Sequence, residues 1–367
     1  MPTPVNDPPT DSAAQYPQPG ELEEDEDLEL TSGIGSAPTL FKTLTVDPGQ
    51  KPQRIDQFLA NRLENASRSF IQRALSKGLI LVDQHAVKAS YRVMPGKTIA
   101  VYQDYAPQHE VLAEPIRLDI VYEDEVLLVV NKPAGMVVHP GHGHYSGTLI
   151  NALLYYFKDL PLFQHGGLRP GLAHRIDKDT SGLLAVGKTE EAMKSLGQTF
   201  LHRQAHRHYL ALAWGDFSQA TGRIESNIGR DPADRQRMKV FHTPDQGKPA
   251  VTHWKALEHF TMVTLLECTL DTGRMHQIRV HLAEAGHPLF ADARYGGSQV
   301  LRGLRTSEYN QFIHSCFSLC PRQALHAFSL DLPHPTTGEM LHLEAPLPED
   351  FAQLLQAWRS FNNAFQQ

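Results

Sequence analysis

The sequence predicts an α+β fold, with a mixed, largely antiparallel sheet flanked by helices and a small helical unit ahead of it. Three observations carry the prediction. Strand-like runs follow one another through short turns, as in Ile120-Val121-Tyr122, the turn Glu123-Asp124-Glu125, and Val126 to Val130. Helical spacing is confined to isolated segments, which argues against regular βαβ winding. Ahead of residue 102, two short helical patterns precede a strand hairpin, and no internal repeat is evident.

Residues 1–40 hold no Lys or Arg and nine acids, together with prolines and serines but no hydrophobic periodicity. Such a segment cannot offset its ordering entropy, so residues 1–45 are expected to be a disordered acidic tail. From Arg54 the pattern changes. Ile55, Phe58, Leu59 and Leu63 recur at helical spacing; Ser67 can cap a second helix carrying Phe70, Ile71, Ala74 and Leu75, which Gly78 ends. Leu79 to Asp83 and Thr98 to Tyr102 then read as strands, closing a unit over 52–102. Residues 103–115, rich in Pro, Gln and acids, read as a linker, and a larger domain is expected over 116–360. Within it, helices fit 147–157 and 190–203, and strands fit 183–187, 208–213, 250–257 and 262–270.

At 367 residues and 41% hydrophobic content the chain can bury a sizeable core. No run approaches the ~18 apolar residues of a membrane span. The start MPTPVNDPPT lacks the basic-then-apolar order of a secretory signal, so the expected location is the cytoplasm. Cys268, Cys316 and Cys320 are expected to be reduced structural thiols, since their spacing matches neither a disulfide framework nor a zinc site. The net charge of -7 is misleading for nucleic-acid binding. Nine of the 41 acids lie in the tail, and the rest of the chain carries 34 cations against 32 acids. Arg68, Arg73 and Lys77 fall outside the apolar stripe of the second helix, an arrangement that suits a phosphate backbone.

Two segments carry chemistry. The run His174-Arg175-Ile176-Asp177-Lys178-Asp179-Thr180-Ser181-Gly182 places Asp177 between cations, ahead of a turn and an apolar strand. A neighbouring cation keeps such a carboxylate ionised, as a nucleophile or electrostatic stabiliser requires. In extended chain Arg175 and Asp177 share a face. Asp179 is the rival carboxylate and is expected to serve the turn. The second segment is Gly273-Arg274-Met275-His276-Gln277-Ile278-Arg279-Val280-His281-Leu282, in which Ile278, Leu282 and Ala285 form one helical face closed by Gly286, with Arg279 just off it. Neither a phosphate-binding glycine loop nor a zinc quartet is present. His139, His142, His144 and His174 invite a metal reading, but their spacing in a Gly/Pro-rich loop has no recognised closure, and no metal or cofactor is expected.

The nine-residue run resembles the His-Arg-Leu-Asp-x-x-Thr-Ser-Gly signature of the RluA/RluD family of RNA pseudouridine synthases, with Ile176 replacing Leu. The segment from Gly273 resembles the family's Gly-Arg-Thr-His-Gln-Ile-Arg-Val-His, with Met275 replacing Thr, and Asn131-Lys132-Pro133-Ala134-Gly135 its Asn-Lys-Pro-x-Gly. The unit over 52–102 looks like an S4 RNA-binding domain, and the resemblance as a whole covers roughly 52–350. It implies the pseudouridine synthase fold and isomerisation of uridine in RNA without a cofactor. It also implies that Asp177 acts at the ribose C1′, that Arg279 pairs with it, and that Tyr209, in Arg207-His208-Tyr209, stacks on the base where the family has Lys-x-Tyr.

By the same resemblance Arg175 fills the gap left by a flipped base, and His174, Lys132 and Arg274 approach RNA, with Arg274, His276 and Gln277 also serving as site scaffolding. His174 ahead of Arg175, together with Gly247-Lys248-Pro249-Ala250-Val251-Thr252-His253, resembles the branch acting on large-subunit ribosomal RNA, so that RNA or a pre-ribosomal particle is the expected partner of a monomeric enzyme. The alternative is a noncatalytic S4-containing RNA-binding or ribosome-assembly protein. The stretch 299–320 resembles nothing in the family and could contact RNA or cap the core.

Overall fold

The computed structural model describes residues 39–365 except 61, 64–67, 104–110, 142–143, 161–162, 164–170, 235, 244, 261 and 305. The expected tail up to residue 38 and the Ser67 cap therefore lie outside the described residues. The chain divides into two compact units, the smaller ending at Glu110 and the larger running from Val111 to Gln367.

The smaller unit comprises β1 (Thr39–Thr45), β2 (Gln53–Arg54), α1 (Ile55–Ala60), α2 (Arg68–Ser76), β3 (Ile80–Val82), β4 (His85–Ala86), β5 (Arg92–Val93) and β6 (Thr98–Gln103). Strands β1, β6, β3 and β4 form one sheet in that order, and β2 pairs with β5. Ile55, Phe58 and Leu59 bury one face of α1 against Ile71, Ala74 and Leu75 of α2 and against Ile80, Val93 and Ile99. Gly78 ends α2 at φ 71°, a left-handed conformation that glycine adopts without steric cost. Strand β1 corrects the expected end of the tail: residues 39–45 pair antiparallel with β6. The run Thr-Leu-Phe-Lys-Thr-Leu-Thr lacks strict alternation and carries a register shift between Leu40 and Lys42, so its strand signal was hidden behind the acidic run.

The larger unit contains β7 (Ile120–Glu123), β8 (Leu127–Lys132), α3 (Leu149–Tyr156), β9 (Ser181–Gly187), α4 (Glu190–Leu201) and β10 (His206–Trp214). It continues through β11 (Thr221–Arg230), β12 (Met238–Phe241), β13 (Lys248–His259), β14 (Val263–Leu270), α5 (Gln277–Glu284), α6 (Ser307–Leu319), β15 (Leu325–Pro333), β16 (Met340–Glu344) and α7 (Glu349–Phe365). The sheet runs β12-β11-β13-β14-β10-β15-β9-β8-β7, with β16 beside β15. Its pairs are antiparallel except β15 with β9, which is parallel. This α+β architecture with a mixed sheet agrees with the sequence expectation; β11, β12, β15 and β16 had given no clear strand signal.

One core lies under α3, where Leu149, Ile150 and Leu153 meet Leu128, Val130, Leu184 and Val186, and it extends to Tyr209 and Cys268. A second lies under α6 and α7, where Trp214, Phe290, Tyr309, Phe351 and Trp358 are sealed from solvent. Each such side chain contributes roughly 1.5–3 kcal/mol through burial. The segment 299–320 thus supplies α6, a lid over this core.

The junction of β15 with β9 positions the functional loop. Ser181 pairs with His326 and Gly182 with Ala327. Gly182 has φ 119°, and a Cβ there would lie 2.2 Å from the Ala327 carbonyl oxygen, so only glycine permits this approach.

Candidate active site

Residues 177–180 turn immediately before β9, the Thr180 N–H donating to the Asp177 carbonyl at 3.1 Å. Donors from two other segments, 132–135 and 322–323, hold this turn. The Lys178 carbonyl accepts from Gly135 N–H at 2.9 Å and Lys132 Nζ at 2.9 Å. Arg322 Nη1 donates to the Asp179 carbonyl at 3.0 Å, and Gln323 Nε2 to Thr180 Oγ1 at 3.3 Å. A reactive side chain on so constrained a backbone is pre-organised.

Lys132 therefore has a different role from the RNA contact expected of it. It is 1% exposed, and its Nζ donates to the carbonyls of Pro133, Met136 and Lys178. Burial pulls its pKa down to about 7 against the attraction of Asp177 and Asp179, while three carbonyls take the three N–H bonds of an ammonium. Its place at the inner end of β8 makes it a brace beneath the turn.

Arg279 comes from the first turns of α5. Its Nη1 donates to Asp177 Oδ2 at 2.9 Å, while Nε and Nη2 grip Asp292 at 2.7 and 2.9 Å. Asp292 is fully buried and also accepts the N–H of Arg294 and Tyr295. The Tyr295 ring centroid lies 5.1 Å from the Arg279 guanidinium carbon, and its hydroxyl meets His276 Nδ1 at 2.8 Å. His276 precedes α5 in a left-handed conformation, φ 55°, and its Nε2 is 3.9 Å from Asp177 Oδ1. That separation exceeds hydrogen-bond reach, so Oδ1 has no donor among the described residues. Sequence reasoning missed Asp292 and Tyr295; their only signal was an Asp-x-x-Tyr spacing that occurs widely.

The electrostatics keep the carboxylate ionised. Burial raises the Asp177 pKa, but His276 when protonated, together with Arg279 and Arg175, outweighs it and holds the group below the usual carboxylate range. Burial lowers His276 to about 4 against the pull of Asp177, leaving it neutral at pH 7. Tyr209 is raised by burial and by Asp177, with Arg207 opposing, so its phenol keeps its proton.

Asp177 opens onto a cavity shared with Arg175, Arg207, Tyr209, Arg274 and His276, whose apolar walls include Ile176, Leu270, Ile278 and Leu325. Tyr209 on β10 is 6% exposed, between Cys268 of β14 and Ala327 of β15. Gln277 ties the segment before α5 to β13: it accepts from Thr272 Oγ1 and Arg274 N–H and donates to the Val251 carbonyl and Thr252 Oγ1.

The structure thus gathers Asp177, Arg279, Tyr209, Arg175 and Arg274 at one cavity. His174 is placed otherwise. Its Nε2 accepts the Ala185 N–H at 2.9 Å and its ring packs 4.3 Å from Phe200, which turns it toward the sheet rather than toward RNA. Among the described residues no group of three or more His, Cys, Asp or Glu gathers as a metal site, and His142 lies outside them.

A family model described as RNA pseudouridylate synthase matches residues 126–284, and one described as S4 domain matches 53–99. The Bacillus subtilis "Uncharacterized RNA pseudouridine synthase YlyB" is 46% identical over 316 residues, covering 86% of this chain and 97% of that protein. The chain belongs to the RNA pseudouridylate synthase family. It is an RNA pseudouridine synthase, an isomerase, with an S4 domain. The "Ribosomal large subunit pseudouridine synthase D" of Nitrosomonas europaea is 44% identical over 318 residues, 86% of this chain and 88% of that one. Among solved structures, human RNA pseudouridylate synthase domain containing 4 superposes with a TM-score of 0.51 at 25% identity, over 65% of this chain and 92% of that one.

In this synthase the S4 domain spans the smaller unit's helices. Arg73 on α2 and Lys77 just past its end are exposed, as an RNA contact requires. Arg68 instead donates to Asp56, a fully buried carboxylate that also takes Arg54 and Gln72. Among the described residues no helix is long and apolar enough to cross a membrane.

Proposed function

We propose that this synthase converts uridine to pseudouridine in large-subunit ribosomal RNA, in the cytoplasm, with Asp177 as the group acting at the ribose C1′. The observation that carries the reading is the state of that carboxylate. One oxygen is anchored by Arg279, the other has no donor among the described residues, and Asp177 lines a cavity with Tyr209 in its wall. The names of the relatives support the choice of RNA.

The chemistry is internally balanced. The N1–C1′ bond breaks, the detached uracil turns, C5 bonds to C1′, C5 loses its proton and N1 gains one, so no oxidant, reductant or water is consumed. Ionised Asp177 stabilises or captures the electron-poor C1′ as N1 departs. The apolar walls and the Tyr209 ring receive the base and exclude water, and the phenol, which keeps its proton at neutral pH, is positioned to donate a hydrogen bond to it. Arg175, exposed at the same cavity, occupies the gap left by the flipped nucleotide and offsets part of the few kcal/mol that unstacking costs. Arg73 and Lys77 add phosphate contacts, and the domain divisions near 102 and 115 separate RNA capture from chemistry.

Release of tritium from ribosomal RNA labelled at uridine C5 tests the reading. Wild-type protein is expected to release it and Asp177→Asn to release none. Equal release by both would defeat the assignment of Asp177, and release by neither would favour a noncatalytic RNA-binding protein.

A further inference from the structure

Arg207 is a cation of the cavity for which no described residue supplies a carboxylate or a hydrogen-bond acceptor. The other cations there are engaged. Arg279 is shared between Asp177 and Asp292, and Arg274 Nε donates to the Pro249 carbonyl at 3.2 Å. Among the described residues Arg207 meets an aromatic face, its guanidinium carbon lying 5.5 Å from the Phe200 ring centroid. Its Nε is buried and has no partner among the described residues, a costly arrangement that persists where a ligand or a function compensates.

The surroundings hold that guanidinium at the cavity wall. Gly273 also lines the cavity, and a Cβ on it would lie 2.6 Å from Arg207 Nη1. Glycine therefore leaves the space that the Nη end fills. Along β10 the chain runs from exposed His206 through half-buried Arg207 to buried Tyr209. Arg207 thus stands nearer the mouth than the ring expected to hold the base. A planar guanidinium with no acid or acceptor among the described residues, at the edge of the cavity that Asp177 lines, matches the charge and fork geometry of a phosphodiester.

We propose that Arg207 forms an anion subsite at the mouth of the cavity and binds a backbone phosphate adjoining the target uridine. This rests on the Asp177 cavity being where that uridine enters. Arg207 thereby fixes the sugar over Asp177 by holding the backbone, and it acts in binding rather than in bond exchange.

The test uses the full chain and an RNA stem-loop containing a uridine that the wild-type enzyme modifies. Arg207→Gln is expected to raise KM about tenfold with kcat nearly kept. It should also reduce the slope of log binding constant against log salt by about one, as the loss of one phosphate contact requires. Gly273→Ala, which displaces the flexible Nη end, is expected to raise KM in the same direction by a smaller factor. Replacing the adjoining phosphates one at a time with neutral methylphosphonate should weaken wild-type binding at one position and leave Arg207→Gln binding unchanged there.

Equal losses in wild type and Arg207→Gln at every methylphosphonate position would overturn the proposal. So would an Arg207→Gln variant that loses kcat with KM and salt slope intact, which would assign the guanidinium to the uracil ring. Binding is measured apart from turnover. A wild-type protein that shows the Arg207-dependent salt slope on large-subunit ribosomal RNA yet releases no tritium would defeat the enzymatic reading while leaving the subsite standing.

Discussion

Asp56 in the smaller unit and Asp177 in the larger are both carboxylates held by arginine, and both have pKa values pulled below the usual range. They differ in how much of the carboxylate is left over. Asp56 is fully buried and takes Arg54 on both oxygens, Arg68 and Gln72 on one, and the Gln57 N–H on the other. Asp177 gives one oxygen to Arg279 and turns the other to a cavity. Asp56 sits on a regular helix, whereas the support of Asp177 includes two non-glycine residues in left-handed conformations, His276 at φ 55° and Ala291 at φ 61°. Such conformations cost on the order of 1 kcal/mol each and gather at functional sites. A depressed pKa beside arginine is therefore common to a structural and a reactive carboxylate, and lone pairs left free at a cavity tell them apart.

Exchanging the readouts of the two aspartates would break the comparison fastest. Asp177→Asn is expected to lower kcat by roughly 10⁴-fold, as removal of a group acting in the transition state does, while its melting temperature stays within a few degrees of wild type. A large thermal loss with activity retained would make Asp177 a second Asp56. Asp292→Asn sharpens the contrast by loosening Arg279 without touching the cavity. A fall in kcat of about 10²-fold with a stability loss of about 3 kcal/mol is expected, measured by turnover and denaturant unfolding together.

Asp56→Asn should do the converse, lowering the transition of the smaller unit by roughly 5–10 °C in calorimetry of the full chain and leaving kcat unchanged. The half-exposed Arg54 and Arg68 partners keep this effect modest.

The smallest effects are those of pH. Asp56 has a folded pKa below the ordinary value of 3.8, so the stability it contributes is complete above about pH 4 and is lost as pH falls through the lower folded value. Melting curves of wild type should fall between pH 4 and 2 more steeply than those of Asp56→Asn. Asp177 is likewise ionised throughout the neutral range, so the acid limb of kcat/KM should lie below 3.8. An acid limb near pH 6 would mean that another group, or a different carboxylate, governs the reaction.

Much of this was legible in the chain because it is local. The helices α3, α4 and α5 follow apolar spacing, and Gly78 and Gly286 end helices at positive φ where a Cβ is unwelcome. The run from His174 to Gly182 announced its turn. Lys132 was misjudged because a lysine next to Pro and Gly looks like a solvent-exposed turn cation, and nothing nearby reveals that three carbonyls will surround it. Arg68 was taken for a phosphate contact because helical phase shows which residues lie off the apolar stripe, not which of them meets a buried acid twelve residues earlier. Asp292 was missed for the same reason.

What the sequence by itself determined are the helices α3 to α5, the strands from β7 to β10 and the two segments bearing Asp177 and Arg279, since hydrophobic period, turn residues and glycines act over a few residues. Tertiary structure alone decided that Arg279 reaches Asp177 across 102 positions while its other edge is spent on Asp292. It also decided that β15 enters parallel to β9 against Gly182, and that Arg207 meets no acid among the described residues. Burying the sheet faces brings distant segments together, and only then does each cation meet, or fail to meet, an acid with which it can share the loss of water.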